Sequence, residues 1–306
     1  MDPSVVAVVV TWNRAVLVER ILRAVDHGQV RPDEVVVVDN ASTDGTPAVL
    51  ERLAGELDTP LRVVRLPRNT GGAGGFKAGL SAALETGADL FWLMDDDGQP
   101  PPDCLAALLP HTTAYDFVGP AVVAEDEPRR LCFPIRVPGT TRVVHDLADV
   151  ERAATDGILE GIVIPFNGVL LTRELVSRIG LPREEFFIWG DDVEYLWRAR
   201  NAGARVATVV GSLFLHPATD DLGTPMMFGR TTYNHSPSEL KHYCMVRNNV
   251  TNLREYVGVL GVVAFLVKTL WFYLFTRPRL DRLRLSIDAW RAARRGDFTG
   301  HARFLS

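Results

Sequence analysis

The chain has 306 residues, of which 47% are hydrophobic and 23% charged, with 25 glycines and 19 prolines. That composition is globular and excludes a disordered, collagen-like or coiled-coil chain. The net charge of −5 conceals an asymmetry: from Lys241 onward twelve Lys/Arg face four Asp/Glu, whereas the preceding residues are strongly acidic. An acidic body disfavours nucleic acid as a partner, and a basic tail suits an anionic lipid surface or a polyphosphate. The length is that of one large α/β domain with an appendage. Cys104, Cys132 and Cys244 are odd in number and form no CxxC pair, which points to a reducing compartment and to neither a disulfide framework nor a thiolate zinc site. The N-terminus has a strand-length apolar run without a basic leader, unlike a signal peptide.

The elements follow in order. Residues 5–10 and 34–38 are apolar runs of strand length, and between them residues 16–25 carry apolar side chains at helical spacing. Strands buried on both faces and joined through a helix belong to a parallel sheet. The alternation continues with a helix over 46–57, a strand at 61–66, a helix over 75–85 and a strand at 89–94, predicting a doubly wound α/β domain. Residues 121–153 read as a hairpin-like excursion. Regularity resumes with 157–171, a helix over 173–179, a helix starting near Asp191 and a strand at 205–210. Residues 219–237, rich in Gly, Pro, Thr and Met, are expected to form a mobile active-site loop. The domain boundary is placed at 238/239, giving an α/β domain over 1–238 and a helical, membrane-associating region over 239–306. In that region residues 257–275 are apolar or small except Lys268 and Thr269, with arginines on both flanks. Such a stretch suits a shallowly inserted amphipathic helix on the cytoplasmic face of the plasma membrane. A helix packed in the core or in a homo-oligomer interface is the alternative.

Ligands of such sheets bind beyond the carboxyl ends of the strands, and four successive strand ends carry polar residues or glycines: Thr11-Trp12-Asn13-Arg14, Asp39-Asn40, Asn69-Thr70-Gly71-Gly72 and Asp95-Asp96-Asp97. Three consecutive aspartates repel one another, and a hard divalent cation, Mg2+ or Mn2+, relieves that repulsion. Strand alternation predicts Asp95 and Asp97 on one side and Asp96 on the other. The glycines of 69–79 allow close approach of backbone to a ligand, and a helix N-terminus favours phosphate. No GxxxxGK[ST] or first-strand GxGxxG is present, so a P-loop or a dinucleotide fingerprint is excluded. In 186–195, Asp191 and Asp192 open a helix whose dipole favours ionised carboxylates, and an ionised aspartate facing a sugar hydroxyl is a general base. N-capping by Asp191 is the structural alternative. His216, at a strand end, either completes a carboxylate metal site or is structural.

Taken together, ThrTrpAsnArg, ValAspAsnAlaSerThrAspGlyThr, AsnThrGlyGlyAlaGlyGly, the aspartate triplet and PheIleTrpGlyAspAspValGluTyr with a later histidine resemble family 2 glycosyltransferases of the GT-A fold. The match runs from residue 5 to about 217. Within that family the double-aspartate and MetAspAspAspGly motifs look most like galactofuranosyltransferases of mycobacterial-type galactan synthesis, and the short length resembles the initiating type. The resemblance implies a GT-A nucleotide-sugar fold with a mainly parallel sheet and an inverting, metal-dependent transfer from UDP-galactofuranose. The implied acceptor is a rhamnosyl-GlcNAc-diphosphoryl-polyprenol. By the same resemblance Asp39 would bind the uracil, with Thr11 and Arg14 lining the nucleotide pocket. Asn69, Gly71 and Gly72 would contact the nucleotide sugar. Asp95 and Asp97 would hold the metal and diphosphate, with Asp96 beside them and His216 as a further protein ligand. Asp192 would be the base, and Asp191 and Trp189 would shape the sugar and acceptor pockets. Rhamnosyl or other sugar transfer to a lipid-linked glycan, a nucleotidyltransferase and a non-catalytic sugar-nucleotide module are the rival readings.

Overall fold

The computed structural model describes residues 2–218 and 223–305. Its contacts group the chain into two compact units: residues 1–182 with 195–218, and residues 183–194 with 219–306. The segment 183–194 thus belongs with the C-terminal part of the chain.

The first unit begins β1 (Val5–Thr11), α1 (Ala15–Asp26), β2 (Glu34–Asp39), α2 (Thr46–Glu56), β3 (Leu61–Arg65), α3 (Gly71–Glu85) and β4 (Leu90–Asp95). It continues with α4 (Cys104–Leu108), β5 (Phe117–Ala124), β6 (Arg130–Arg136), β7 (Val143–Asp146), α5 (Leu147–Ala153), β8 (Ile158–Glu160), β9 (Asn167–Thr172) and α6 (Arg173–Ile179). Helix α7 (Asp191–Asn201) leads to β10 (Val206–His216). The sheet order is β3-β2-β1-β4-β9-β5-β10-β8, with β6 and β7 extending from β5. Strands β1 to β4 pair in parallel, as do β5 and β10. Strand β9 is antiparallel to both β4 and β5, so the two parallel blocks point the same way and the sheet is mainly parallel. The excursion expected over 121–153 is the β6–β7 hairpin followed by α5.

Alternation along the strands builds a core on each face. Val6, Val8, Val10, Val36 and Val38 pack with Phe76 and Leu80 of α3 and with Leu175 of α6. Val5, Ala7, Val9, Val35 and Val37 pack with Ile21 and Leu22 of α1 and Leu50 of α2. The register Thr11↔Asp39 on one side of β1 and Val10↔Asp95 on the other brings the carboxyl ends of these strands level, and so fixes where the polar residues gather.

Helix α3 starts at Gly71, four residues before the expected 75. The reason is packing. A Cβ on Gly75 would lie 2.4 Å from Val10 Cγ1, and one on Gly79 2.4 Å from Val8 Cγ1 and 3.0 Å from Val38 Cγ2. These glycines let the helix settle directly on β1 and β2, which corrects the expectation that the whole glycine-rich run serves a ligand. Gly72 differs, since a Cβ there meets nothing within 4 Å.

The second unit contains residues 183–194, the short hairpin β11 (Thr224–Met226) and β12 (Thr231–Tyr233), and helices α8 (Glu239–Tyr256), α9 (Val259–Trp271) and α10 (Leu280–Arg295). The hairpin occupies part of the loop expected at 219–237, and residues 219–222 of that loop lie outside the described residues. Phe187, Tyr233, Tyr243, Met245, Phe272, Tyr273 and Ala289 form this unit's core. Gly258, at φ +97°, separates α8 from α9. A single π turn, Phe272–Thr276, ends the apolar stretch. Leu260, Val263, Val267, Leu270 and Leu274 are exposed along it. The stretch Val259–Thr276 is long and apolar enough to cross a membrane by length and composition.

Candidate active site

The strand-end residues of the first unit form two linked groups. The first is built on the aspartates. Strand β4 ends at Asp95, so Asp96 and Asp97 lie in the turn that follows and strand alternation no longer governs them. Arg14 Nη1 donates to Asp96 Oδ1 at 2.7 Å and to Asp97 Oδ2 at 2.9 Å. Thr11 Oγ1 donates to Asp96 Oδ2 at 2.7 Å. Asp96 and Asp97 therefore share one cation, which corrects the expectation that Asp96 points away from the rest. Asp95 Oδ1 instead accepts the Asp96 N–H at 3.1 Å. Arg20 adds a hydrogen bond to the Asp97 carbonyl at 3.1 Å.

At the end of β10, His216 Nε2 lies 3.2 Å from Asp97 Oδ1. Cys132 Sγ stands 3.3 Å from His216 Nδ1 and 3.2 Å from the Pro217 carbonyl oxygen. Burial favours neutral imidazole, but the Asp97 carboxylate prevails and raises His216 to about 10. Burial likewise works to raise Asp97, yet His216 and Arg14 hold it below the usual carboxylate range. At Asp95 the balance reverses: burial, reinforced by Asp97 and Asp96, outweighs Arg14 and pushes it up to about 8. The cluster thus holds more carboxylate than Arg14 and His216 neutralise comfortably.

These groups suit a divalent cation chemically. Asp97 Oδ1 is buried and faces His216 Nε2, and carboxylate oxygen with imidazole nitrogen is a donor set for Mn2+ or Mg2+. Loading His216 displaces its proton. Among the described residues, however, no group of three His, Cys, Asp or Glu side chains is gathered as a metal site. Asp97 and His216 are paired, and Asp95, last in its strand and turned to the Asp96 N–H, is not joined to them as a third.

The second group is centred on Asn40, to which the motifs assigned no role. Asn40 is buried. Its Oδ1 accepts the Thr70 N–H at 2.9 Å and the Thr70 hydroxyl at 3.1 Å, and its Nδ2 donates to the Gly71 carbonyl at 2.9 Å. Asn69 Oδ1 accepts the Gly71 N–H at 2.8 Å, at a residue whose φ of +70° favours glycine. Asp39, also buried, accepts the Ser42 N–H at 2.9 Å. Asp39, Asn69 and Gly71 are thus drawn together through Asn40. The signal in the sequence was an amide directly after a strand-end aspartate.

Trp189, Asp191 and Asp192 belong to the second unit. Helix α7 begins at Asp191, with Asp191, Asp192 and Glu194 in its first turn, so Asp191 is a helical residue and not the cap. Burial raises the Asp192 carboxyl, against the hydrogen bonds of the Val193, Asp192 and Gly190 backbone. Desolvation therefore opposes the ionisation that the helix N-terminus favours. Phe187, Trp189 and Gly190 have φ of +65°, +70° and +85°. From α8, Asn248 Nδ2 donates to the Trp189 carbonyl at 2.7 Å and Asn252 Nδ2 to the Gly190 carbonyl at 2.8 Å. These asparagines were missed because a polar pair on a helix has no distinctive spacing.

Residues 6–170 match the sequence model of glycosyl transferase family 2. The chain belongs to that family. It is a glycosyltransferase with a GT-A-type fold. It is 34% identical over 303 residues to the protein named galactofuranosyltransferase GlfT1 of Mycolicibacterium smegmatis, covering 96% of this chain and 97% of that one. Among solved structures, the mannosyltransferase PcManGT from Pyrobaculum calidifontis, in complex with GDP-Man and Mn2+, aligns with a TM-score of 0.55 at 20% identity. That match covers 100% of this chain and 79% of the other. S. aureus TarS 1-349, in complex with UDP-GlcNAc, aligns with a TM-score of 0.56 at 15% identity, over 97% and 89% of the two chains. At such identities these structures bear on the fold of the transferase alone.

Replacing Asn40 by Ala strips partners from Thr70 and Gly71, a cost of about 1–3 kcal/mol for buried polar groups left unsatisfied. Urea unfolding should register that loss as a lowered midpoint of the Asn40→Ala variant.

Proposed function

We propose that the transferase moves galactofuranose from UDP-galactofuranose to a rhamnosyl-GlcNAc-diphosphoryl-polyprenol, with inversion, during assembly of a cell-wall galactan. One observation carries this reading. The similarity to the mycobacterial galactofuranosyltransferase spans 96% of the chain and so continues past residue 170, where the family match ends.

In this reading Asp39, Thr11, Arg14, Asn69, Gly71 and Gly72 serve the nucleotide and its sugar, with Asp96 fixing Arg14. Asp97 and His216, with Asp95 adjacent, are the residues that would hold Mn2+ or Mg2+; a bound cation supplies Lewis-acid neutralisation of the diphosphate. Asp192 takes the proton of the acceptor hydroxyl as general base, and a raised pKa suits that work near neutrality. The hydroxyl oxygen forms its bond to the anomeric carbon as the bond to UDP breaks, and UDP departs with the electron pair. A single displacement needs no covalent nucleophile. Trp189 and Asp191 shape the sugar and acceptor pockets.

The test is a panel of UDP- and dTDP-sugars incubated with a synthetic lipid-linked rhamnosyl disaccharide, with products read by mass spectrometry. UDP-galactofuranose should be consumed, with UDP released and a hexose added to the acceptor. Transfer from dTDP-rhamnose alone would replace this reading with the rhamnosyltransferase alternative.

We infer further that α9 meets the cytoplasmic face of the plasma membrane, where a polyprenyl acceptor resides. The exposed row Leu260, Val263, Val267, Leu270 and Leu274, followed by Arg277, Arg279 and Arg284, combines apolar area with positive charge. Anionic surfaces reward each basic residue by about 1 kcal/mol. Sedimentation with anionic vesicles should fall when Val263 and Val267 become Ser. Equal sedimentation of variant and parent would remove the apolar part of the proposal.

A further inference from the structure

The segment 183–194 holds backbone that is costly to form. Non-glycine residues in the left-handed region cost on the order of 1–3 kcal/mol each, and Phe187 and Trp189 both lie there. Within the loop, the Phe187 N–H reaches the Glu184 carbonyl at 3.1 Å and the Ile188 N–H the Phe186 carbonyl at 2.8 Å. Four of the remaining acceptor contacts are answered by one face of α8.

Asn248 Nδ2 lies 3.0 Å from the Phe186 carbonyl oxygen, 3.1 Å from that of Ile188 and 2.7 Å from that of Trp189. One turn on, Asn252 Nδ2 donates to the Gly190 carbonyl at 2.8 Å. That same carbonyl accepts the Glu194 N–H at 3.0 Å, opening α7. Asn248 is fixed in turn, because Arg247 Nε donates to its Oδ1 at 2.9 Å and so sets which way the amide faces. Arg247 is completely buried. It also donates to the carbonyls of Phe186 at 2.8 Å, Phe298 at 3.0 Å and Glu185 at 3.4 Å, and its Nη1 stands 3.3 Å from His301 Nδ1. A buried guanidinium spent largely on carbonyl oxygens is expensive, and it secures both the backbone at 185–186 and the orientation of the Asn248 amide. Phe298 and His301 close the arrangement, stacking on Phe186 and Phe187 at centroid distances of 5.5 Å and 4.5 Å.

We propose that Asn248, oriented by Arg247 and assisted by Asn252, is a positioning residue for catalysis: it sets the path of 186–190 and thereby the direction in which Asp192 leaves the start of α7. The inference rests on the reading of Asp192 as the base. Displacement of a reacting group by about 1 Å costs on the order of 10²-fold in rate, so Asn248→Ala should lower kcat by about that factor. UDP affinity should be unchanged, because the residues assigned to the nucleotide belong to the strand ends of the other unit.

A double-mutant cycle tests this. Asn248→Ala, Asp192→Asn and the double variant of the full chain are compared for kcat toward the lipid-linked acceptor, for UDP binding by calorimetry and for melting temperature. A positioning role predicts that Asn248→Ala adds no further loss once Asp192 is Asn. Multiplying losses, or a parental kcat for Asn248→Ala beside an inactive Asp192→Asn, would overturn this inference alone. Near-normal turnover by Asp192→Asn would overturn the base reading and this inference with it. Should Asn248→Ala fail to fold, Asn252→Ala, which loses the single bond to Gly190, takes its place in the cycle with the same expectation.

Discussion

Three adjacent carboxylates at the end of a buried strand are the constraint around which the first unit is organised. The register of β1 against β4 sets Val10 beside Asp95, and the chain leaving β1 then supplies Thr11 and Arg14 to the two aspartates of the turn. From the far side of the sheet β10 delivers His216 to Asp97. Each partner offsets part of the repulsion, but at Asp95 burial and the neighbouring aspartates outweigh Arg14 and push the carboxyl upward. A site in which three carboxylates crowd together and Asp95 is driven toward its neutral form is suited to a cationic ligand, which would favour the ionised form.

Much of this is legible in the sequence. The β-α alternation through residue 94 follows from apolar runs separated by helical spacing, and the strand-end rule locates Asp39, Asn69 and Asp97 because buried parallel strands leave polar residues nowhere else to gather. Two local readings needed the structure. Alternation of side chains holds only within a strand, and β4 stops at Asp95, so Asp96 joined Asp97 on Arg14. The glycines at 75 and 79 looked like ligand contacts, yet the valines of β1 and β2 occupy the space their side chains would need. Sequence shows that a glycine is required without showing what lies opposite it.

The second unit was less readable for a different reason. Its organising contacts run from side-chain amides to loop carbonyls, and neither partner carries a pattern. Asn248 and Asn252 are four apart on α8, a spacing any helix face shares, while carbonyls at 186, 188, 189 and 190 are invisible to motif reading. Residues 257–275 were easier, since apolar length flanked by arginine is a compositional signal, and the outer row from Leu260 to Leu274 is exposed.

The central claim, that the aspartate turn with His216 is a cation-assisted site for the nucleotide diphosphate, is tested most directly by calorimetric titration of UDP with Mn2+ and with a chelator, in the parent and in Asp97→Ala. The account predicts that Mn2+ strengthens UDP binding in the parent and that this gain disappears in Asp97→Ala while the fold, judged by melting, persists. Equal UDP affinity with Mn2+ and with chelator in the parent, or an undiminished Mn2+ effect in Asp97→Ala, would contradict it.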